Sequence, residues 1–126
     1  MSYRKKVKVM YLSEHFQDKE FRCHCCRELK TIDPKLLAGL EKLRAMIGQP
    51  IYINSGYRCE KHNQRIGGAS KSYHLKGMAA DISVKGINSQ ELFSYCEKID
   101  EFHGLGCYRS WVHVDTREKM TVWEKI

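Results

Sequence analysis

Leu36, Leu37, Leu40, Leu43 and Ile47 recur at three- and four-residue spacing and so place one apolar stripe on a helix. Asp33-Pro34 ahead of them supplies a capping carboxylate and a proline suited to the first helical position, and Gly48 stands where the helix should stop. The pattern predicts a helix from Pro34 to Ile47 whose buried face is core scaffold. After Pro50, Ile51-Tyr52-Ile53 reads as a short strand, and a turn-rich stretch runs from Asn54 to Lys76 through Gly56, Gly67 and Gly68. Connections longer than about 12–15 residues in a compact domain are usually functional, so a site is expected there. Met78 to Val84 alternates small or apolar residues with others, as a strand does, and Gly86 closes it. Asn88 or Ser89 then caps a second helix with Leu92, Phe93, Cys96 and Ile99 on its apolar face. GLGCY, WVHVDT and TVWEKI, rich in β-branched and aromatic residues, read as short antiparallel strands. This order predicts an α+β fold, a small antiparallel sheet packed with helices, and the lack of repeats or linkers predicts a single domain over residues 1–126.

The 126 residues are 42% hydrophobic and 10% aromatic, enough for a core and too apolar for intrinsic disorder. Lys and Arg number 22 against 15 Asp and Glu, a net charge of +7 that favours polyanions: nucleic acid, an anionic membrane or an acidic cell-wall polymer. The basic residues are dispersed over Arg4–Lys8, Arg27–Lys30, Lys61–Arg65 and Lys71–Lys76, without a recognition helix or zinc-finger spacing, so no nucleic-acid partner is expected. No apolar run approaches the roughly 20 residues that span a bilayer, which excludes membrane insertion by a helix. MSYRKKVKVMYLSEHF lacks the apolar centre of a secretory leader, so the expectation is synthesis in the cytoplasm and another way out for any action beyond it. A monomer is expected.

Six cysteines are present: Cys23, Cys25, Cys26, Cys59, Cys96 and Cys107. Without a leader the default is reduced thiols or metal ligands rather than a disulfide framework. Cys23-His24-Cys25-Cys26 departs from the usual CxxC half-site, yet Cys59-x-x-His62 supplies a second half, so a structural zinc on Cys23, Cys25, Cys26, Cys59 and His62 stands beside a disulfide and free thiols.

His74, Asp81 and His113 stand out as potential ligands. Two imidazoles and a carboxylate suit a zinc ion and leave a fourth position open, as a catalytic site requires. Residues two apart on a strand share a face, so His113 and Asp115 project an imidazole and a carboxylate into one space. The other histidines, His15, His24, His62 and His103, read as ordinary surface or core residues, and Tyr57, Trp111 and Trp123 as core or cleft walls.

The segment Ser72-x-His74-x-x-Gly77-x-Ala79-x-Asp81 with the later His113-x-Asp115 resembles the signature of the M15 zinc peptidases, whose members include D-alanyl-D-alanine carboxypeptidases, dipeptidases and phage endolysins. Asn54-Ser55-Gly56-Tyr57-Arg58, Asn63 and Gly67-Gly68-Ala69 are similar to the family's upstream loop, and the likeness extends over about residues 13–117. The resemblance implies a hedgehog/DD-peptidase-like fold and one catalytic zinc held by His74, Asp81 and His113. It also implies that Arg58 binds the substrate's carbonyl oxygen or carboxylate and that Ser72 bonds the bound peptide or holds the loop. The partner would be peptidoglycan peptides, with hydrolysis of stem-peptide bonds by a carboxypeptidase or an endolysin-like endopeptidase acting on the cell wall, released by phage-type lysis. The family often carries an acid three residues before its last histidine, where this chain has Ser110. Asp115 is then the candidate general base, or else a carboxylate that orients a ligand histidine. The missing acid leaves a second reading, a zinc-binding cell-wall or protein-interaction module with little or no hydrolysis, as hedgehog domains of similar fold illustrate.

Overall fold

The computed structural model describes residues 9–126, so the basic stretch Arg4–Lys8 lies outside the described residues. Helix α1 spans Pro34–Ile47, and Asp33 caps it by accepting the Lys35 amide at 3.0 Å. Its buried line is Leu36, Leu40 and Leu43, with Leu37 and Ile47 packed at the margins. Helix α3 spans Ser89–Cys96, capped by Asn88, whose side chain accepts the Glu91 amide at 2.8 Å. Ile99, expected on its apolar face, is buried just beyond the helix end. The turn-rich stretch contains structure of its own: helix α2, Glu60–Arg65, and a 3-10 turn, Tyr73–Lys76. Neither has an apolar stripe, which is why hydrophobic periodicity missed both.

Five strands, β1 Tyr52–Ser55, β2 Ala79–Ser83, β3 Gly104–Tyr108, β4 Val112–Asp115 and β5 Thr121–Lys125, form one sheet in the order β1-β2-β4-β3-β5. Three of the four pairings are antiparallel. The fourth corrects the expectation of an all-antiparallel sheet, because β5 lies parallel to β3. The chain leaves β4, crosses the start of β3 and docks on its far side. His103 fixes the crossing: its amide donates to the Asp115 carbonyl at 2.9 Å and its carbonyl accepts the Thr121 amide at 2.8 Å. Its ring Nδ1 meets the Arg117 carbonyl at 2.7 Å.

The pleat divides the sheet chemically. Ala80, Ile82, Leu105, Val112 and Val114 belong to the core formed with Leu36, Leu40 and Leu43 of α1 and Leu92 and Cys96 of α3. The alternate residues are polar or small. The register sets Ser55, Asp81, His113, Gly106 and Trp123 in one row across all five strands, and Ala79, Asp115, Gly104 and Thr121 in the next.

The glycines of GLGCY make room on this polar face. A Cβ on Gly104 would strike the Asp115 carboxylate, and one on Gly106 would strike the Trp123 indole. Adding a methyl group at either place is overpacking against buried groups, which costs about 1–3 kcal/mol. Gly104→Ala and Gly106→Ala are each expected to lower the urea midpoint accordingly, whereas the exposed Lys85→Gln should stay within about 0.5 kcal/mol of the parent. Equal midpoints for all three variants would remove this account of the motif.

Candidate metal centre and active-site cleft

His74 is delivered by the 3-10 turn. Ser72 caps that turn by accepting the His74 amide at 3.2 Å, and Gly77 ends it in the left-handed conformation at φ 70°. The His74 ring is buried, and its Nδ1 donates to the Gly56 carbonyl at 2.7 Å. That bond fixes the tautomer and leaves Nε2 as a lone pair, 3.1 Å from Asp81 Oδ1. His113 approaches the same oxygen from β4, with Nδ1 at 3.0 Å, while its Nε2 lies 2.7 Å from Asp115 Oδ2. The two rings meet edge to face with centroids 5.1 Å apart.

Two imidazole nitrogens thus face one carboxylate oxygen. A lone pair and a carboxylate repel unless a proton or a cation lies between them, and the three donor atoms sit within 4.8 Å of one another. This donor set fits a divalent metal of zinc type: two nitrogens, one oxygen, and supporting bonds that aim both rings. Burial opposes ionisation of Asp81, but the hydrogen bond from His113 outweighs it and holds the carboxyl well below the usual carboxylate range. His113 moves the other way. Burial disfavours its charge, yet the flanking Asp115 and Asp81 raise its pKa above the ordinary histidine value.

Arg58 lies against Asp81, with Nη2 donating to Oδ2 at 2.9 Å. Its Nε donates to Ser55 Oγ at 3.1 Å and its Nη1 to Asn63 Oδ1 at 3.2 Å. A guanidinium has about five N–H donors, so about two stay available to the cleft beside it. Asn63, on α2, is itself buried and donates to the Ala69 carbonyl at 2.8 Å, which ties the glycine-rich segment to Arg58.

Asp115 stands behind the His113 ring rather than in the cleft. It is 0% exposed and lies on the side away from Asp81. Arg117 holds it through Nε and Nη2 at 2.9 and 2.7 Å and through its amide at 3.1 Å. Both oxygens are therefore engaged. Ser110 is exposed in the turn between β3 and β4 and also lies off the cleft.

The cleft in front of the donors measures about 530 Å³. Arg58, Lys71, Arg117 and Lys125 give it a positive lining, and Asp81 is its one carboxylate among the described residues. Tyr108 and Trp111 stack at 4.8 Å and 8° to form one wall, and Trp123 lies 5.2 Å from the His113 ring. Trp111 and Trp123 are thus cleft walls, whereas Tyr57 packs against the core. Arg117 and Asn63 received no role from sequence. The arginine two residues beyond Asp115, just past the strand end, was the available signal.

The remaining histidines lie off the cleft. His15 pairs with Glu41 at 2.6 Å, His103 fixes the strand crossing, and the His24 and His62 rings meet edge-on at 6.0 Å. Cys23, Cys25, Cys26 and Cys59 gather with their sulfurs within 4.8 Å of one another, off the cleft. His62, expected as a fifth member, does not join them; its backbone amide donates to Cys59 Sγ at 3.4 Å while its ring turns to His24. Cys96 and Cys107 are buried thiols.

Comparison with known proteins agrees with this geometry. The family model described as Peptidase M15 matches residues 14–115. The chain is also 33% identical over 105 residues to proteins named peptidoglycan L,D-endopeptidase MepK from Escherichia coli (strain K12), Escherichia coli O157:H7 and Shigella flexneri, covering 76% of this chain and 57% of the relative. It therefore spans little more than half the length of the curated relatives it matches. With a family model over most of the chain and the His74, Asp81 and His113 donors gathered at its cleft, this protein belongs to the M15 peptidase family.

Proposed function

We propose that this chain is a zinc-dependent peptidase that hydrolyses peptide bonds in bacterial peptidoglycan stem peptides. The observation that carries the reading is the convergence of His74 Nε2, His113 Nδ1 and Asp81 Oδ1 at the floor of a cationic cleft. A zinc ion bound there supplies Lewis acidity, polarising a carbonyl and making water a competent nucleophile near neutral pH. Stem peptides carry free carboxylates, which Lys71, Lys125 and Arg117 attract towards the opening. Arg58 orients Asp81, and its free N–H groups are placed for a substrate carbonyl or carboxylate oxygen. Ser72 holds the turn that carries His74 and presents its side chain to the bound peptide from the cleft rim. The name of the MepK relatives supports an endopeptidase over a carboxypeptidase.

Asp115 acts in this reading as a positioning residue. It fixes the His113 ring with Nδ1 towards Asp81, and Arg117 fixes Asp115 in turn. One observation favours the second reading, a zinc-binding wall module with little turnover: no carboxylate besides Asp81 faces the cleft among the described residues.

Purified protein incubated with sacculi separates these readings. Release of muropeptides that stops with chelator and returns with zinc is expected, and mass spectrometry of the new termini names the bond. Zinc-dependent binding to sacculi without any new termini would select the module instead.

Asp115→Asn separates positioning from base catalysis. Loss of a carboxylate behind a ligand histidine typically costs about 10–100-fold in metal affinity, so activity should fall and recover when zinc is raised. A variant that holds zinc as tightly as the parent and stays inactive would restore Asp115 as the base.

Metal binding also has a predicted pH dependence. The flanking carboxylates favour protonated His113 in the metal-free protein, so an incoming ion must expel that proton. Affinity should therefore rise with pH through the raised His113 pKa and level off above it. Calorimetry in buffers of different ionisation enthalpy would show the released proton, and pH-independent affinity between pH 6 and 8 would contradict the assignment.

A further inference from the structure

We propose that Cys23, Cys25, Cys26 and Cys59 form a second metal site, structural rather than catalytic, that binds a thiophilic divalent cation of zinc type through four thiolates. The four sulfurs come from segments far apart in the chain yet lie within 4.8 Å of one another. Cys23 Sγ is 3.7 Å from Cys25 Sγ, and Cys25 Sγ is 3.3 Å from Cys59 Sγ. Tetrahedral zinc with Zn–S bonds of about 2.3 Å requires sulfur–sulfur edges of about 3.8 Å, so the cluster already stands near that size. A disulfide would join only two of the four and leave the others beside it.

The backbone around the cluster is shaped for thiolates. The Cys59 amide donates to Cys23 Sγ at 3.3 Å, and the His62 amide donates to Cys59 Sγ at 3.4 Å. The loop turns tightly: the Arg27 amide donates to the Cys23 carbonyl and the Cys23 amide to the Glu28 carbonyl, each at 2.9 Å. Arg27 adopts φ 62°, the one non-glycine residue in the left-handed region among those described. Such a conformation is costly and needs surrounding structure to impose it. Apolar packing is a poor candidate, because Cys25, Cys26 and every residue from His24 to Glu28 are exposed. A bound ion would supply the missing constraint, as folding and metal binding are coupled in small thiolate sites.

The site also bears on the cleft. Cys59 caps α2, follows Arg58 directly, and shares that helix with Asn63, which bonds Arg58. Clamping Cys59 to the Cys23 loop therefore fixes both ends of the support behind the guanidinium on Asp81.

Elemental analysis of the full chain, purified under reducing conditions, should find two zinc ions per chain, and one in a His74→Ala, Asp81→Ala double variant. Cobalt loaded into that variant should show thiolate-to-metal charge transfer, which Cys26→Ser should weaken and Cys59→Ser remove. Zinc should protect the accessible thiols Cys25, Cys26 and Cys59 from alkylation in the native wild-type chain, a readout that needs no variant. A cobalt complex of the wild-type chain without thiolate charge transfer, unchanged thiol reactivity with zinc, or a disulfide among the four in non-reducing mass spectrometry would each overturn the proposal. The cobalt spectrum, the thiol protection and the mass spectrum do not depend on whether the His74, Asp81 and His113 centre holds zinc.

Discussion

The antiparallel register that sets Asp81 opposite His113 governs both the core and the cleft. In that register Ala80, Ile82, Val112 and Val114 fall on the side of the leucines of α1, and the imidazole and two carboxylates fall on the other. Sliding β2 along β4 by one residue would turn β2 over, sending Asp81 into the core and Ala80 and Ile82 into the cleft. Hydrophobic burial thus enforces the juxtaposition of Asp81 and His113.

Buried charges are expensive unless paired, and here each buried carboxylate has an arginine partner. Asp81 is matched by Arg58 and Asp115 by Arg117, on either side of the two imidazoles. A divalent ion would then bring an unbalanced positive charge to the cleft floor, which suits an electron-rich oxygen in front of it. The same arrangement keeps Asp115 ionised. Burial alone would raise its pKa, but His113 and Arg117 together hold the carboxyl well below the usual range.

Much of this was legible in the sequence because it rests on local patterns. The α1 stripe, the caps at Asp33 and Asn88, and the alternation of HVD follow from periods that a single chain displays. So does the grouping of His74, Asp81 and His113, through the resemblance of their motif. The position of β5 was not legible: TVWEKI pairs equally well either way, and the choice is made by the crossing at His103. The direction of Asp115 was hidden for a related reason. Sharing a strand face with His113 put it in the same space, but Arg117, beyond the strand, and the gap over Gly104 decide that it points behind the ring. His62 had the right spacing from Cys59 for a ligand, yet its ring turned towards His24, a contact that spacing does not encode.

Arg117 does more than neutralise Asp115. Its guanidinium carbon lies 4.6 Å from the Tyr73 ring centre and 5.1 Å from that of Trp123, within the range of cation–π attraction to both. Tyr73 belongs to the turn that carries His74, and Trp123 belongs to β5, the edge strand beside β3. A flat, rigid ion anchored from below therefore acts as a spacer between the two sides. The separation of Tyr73 from Trp123 therefore rests on one side chain that is itself held by Asp115.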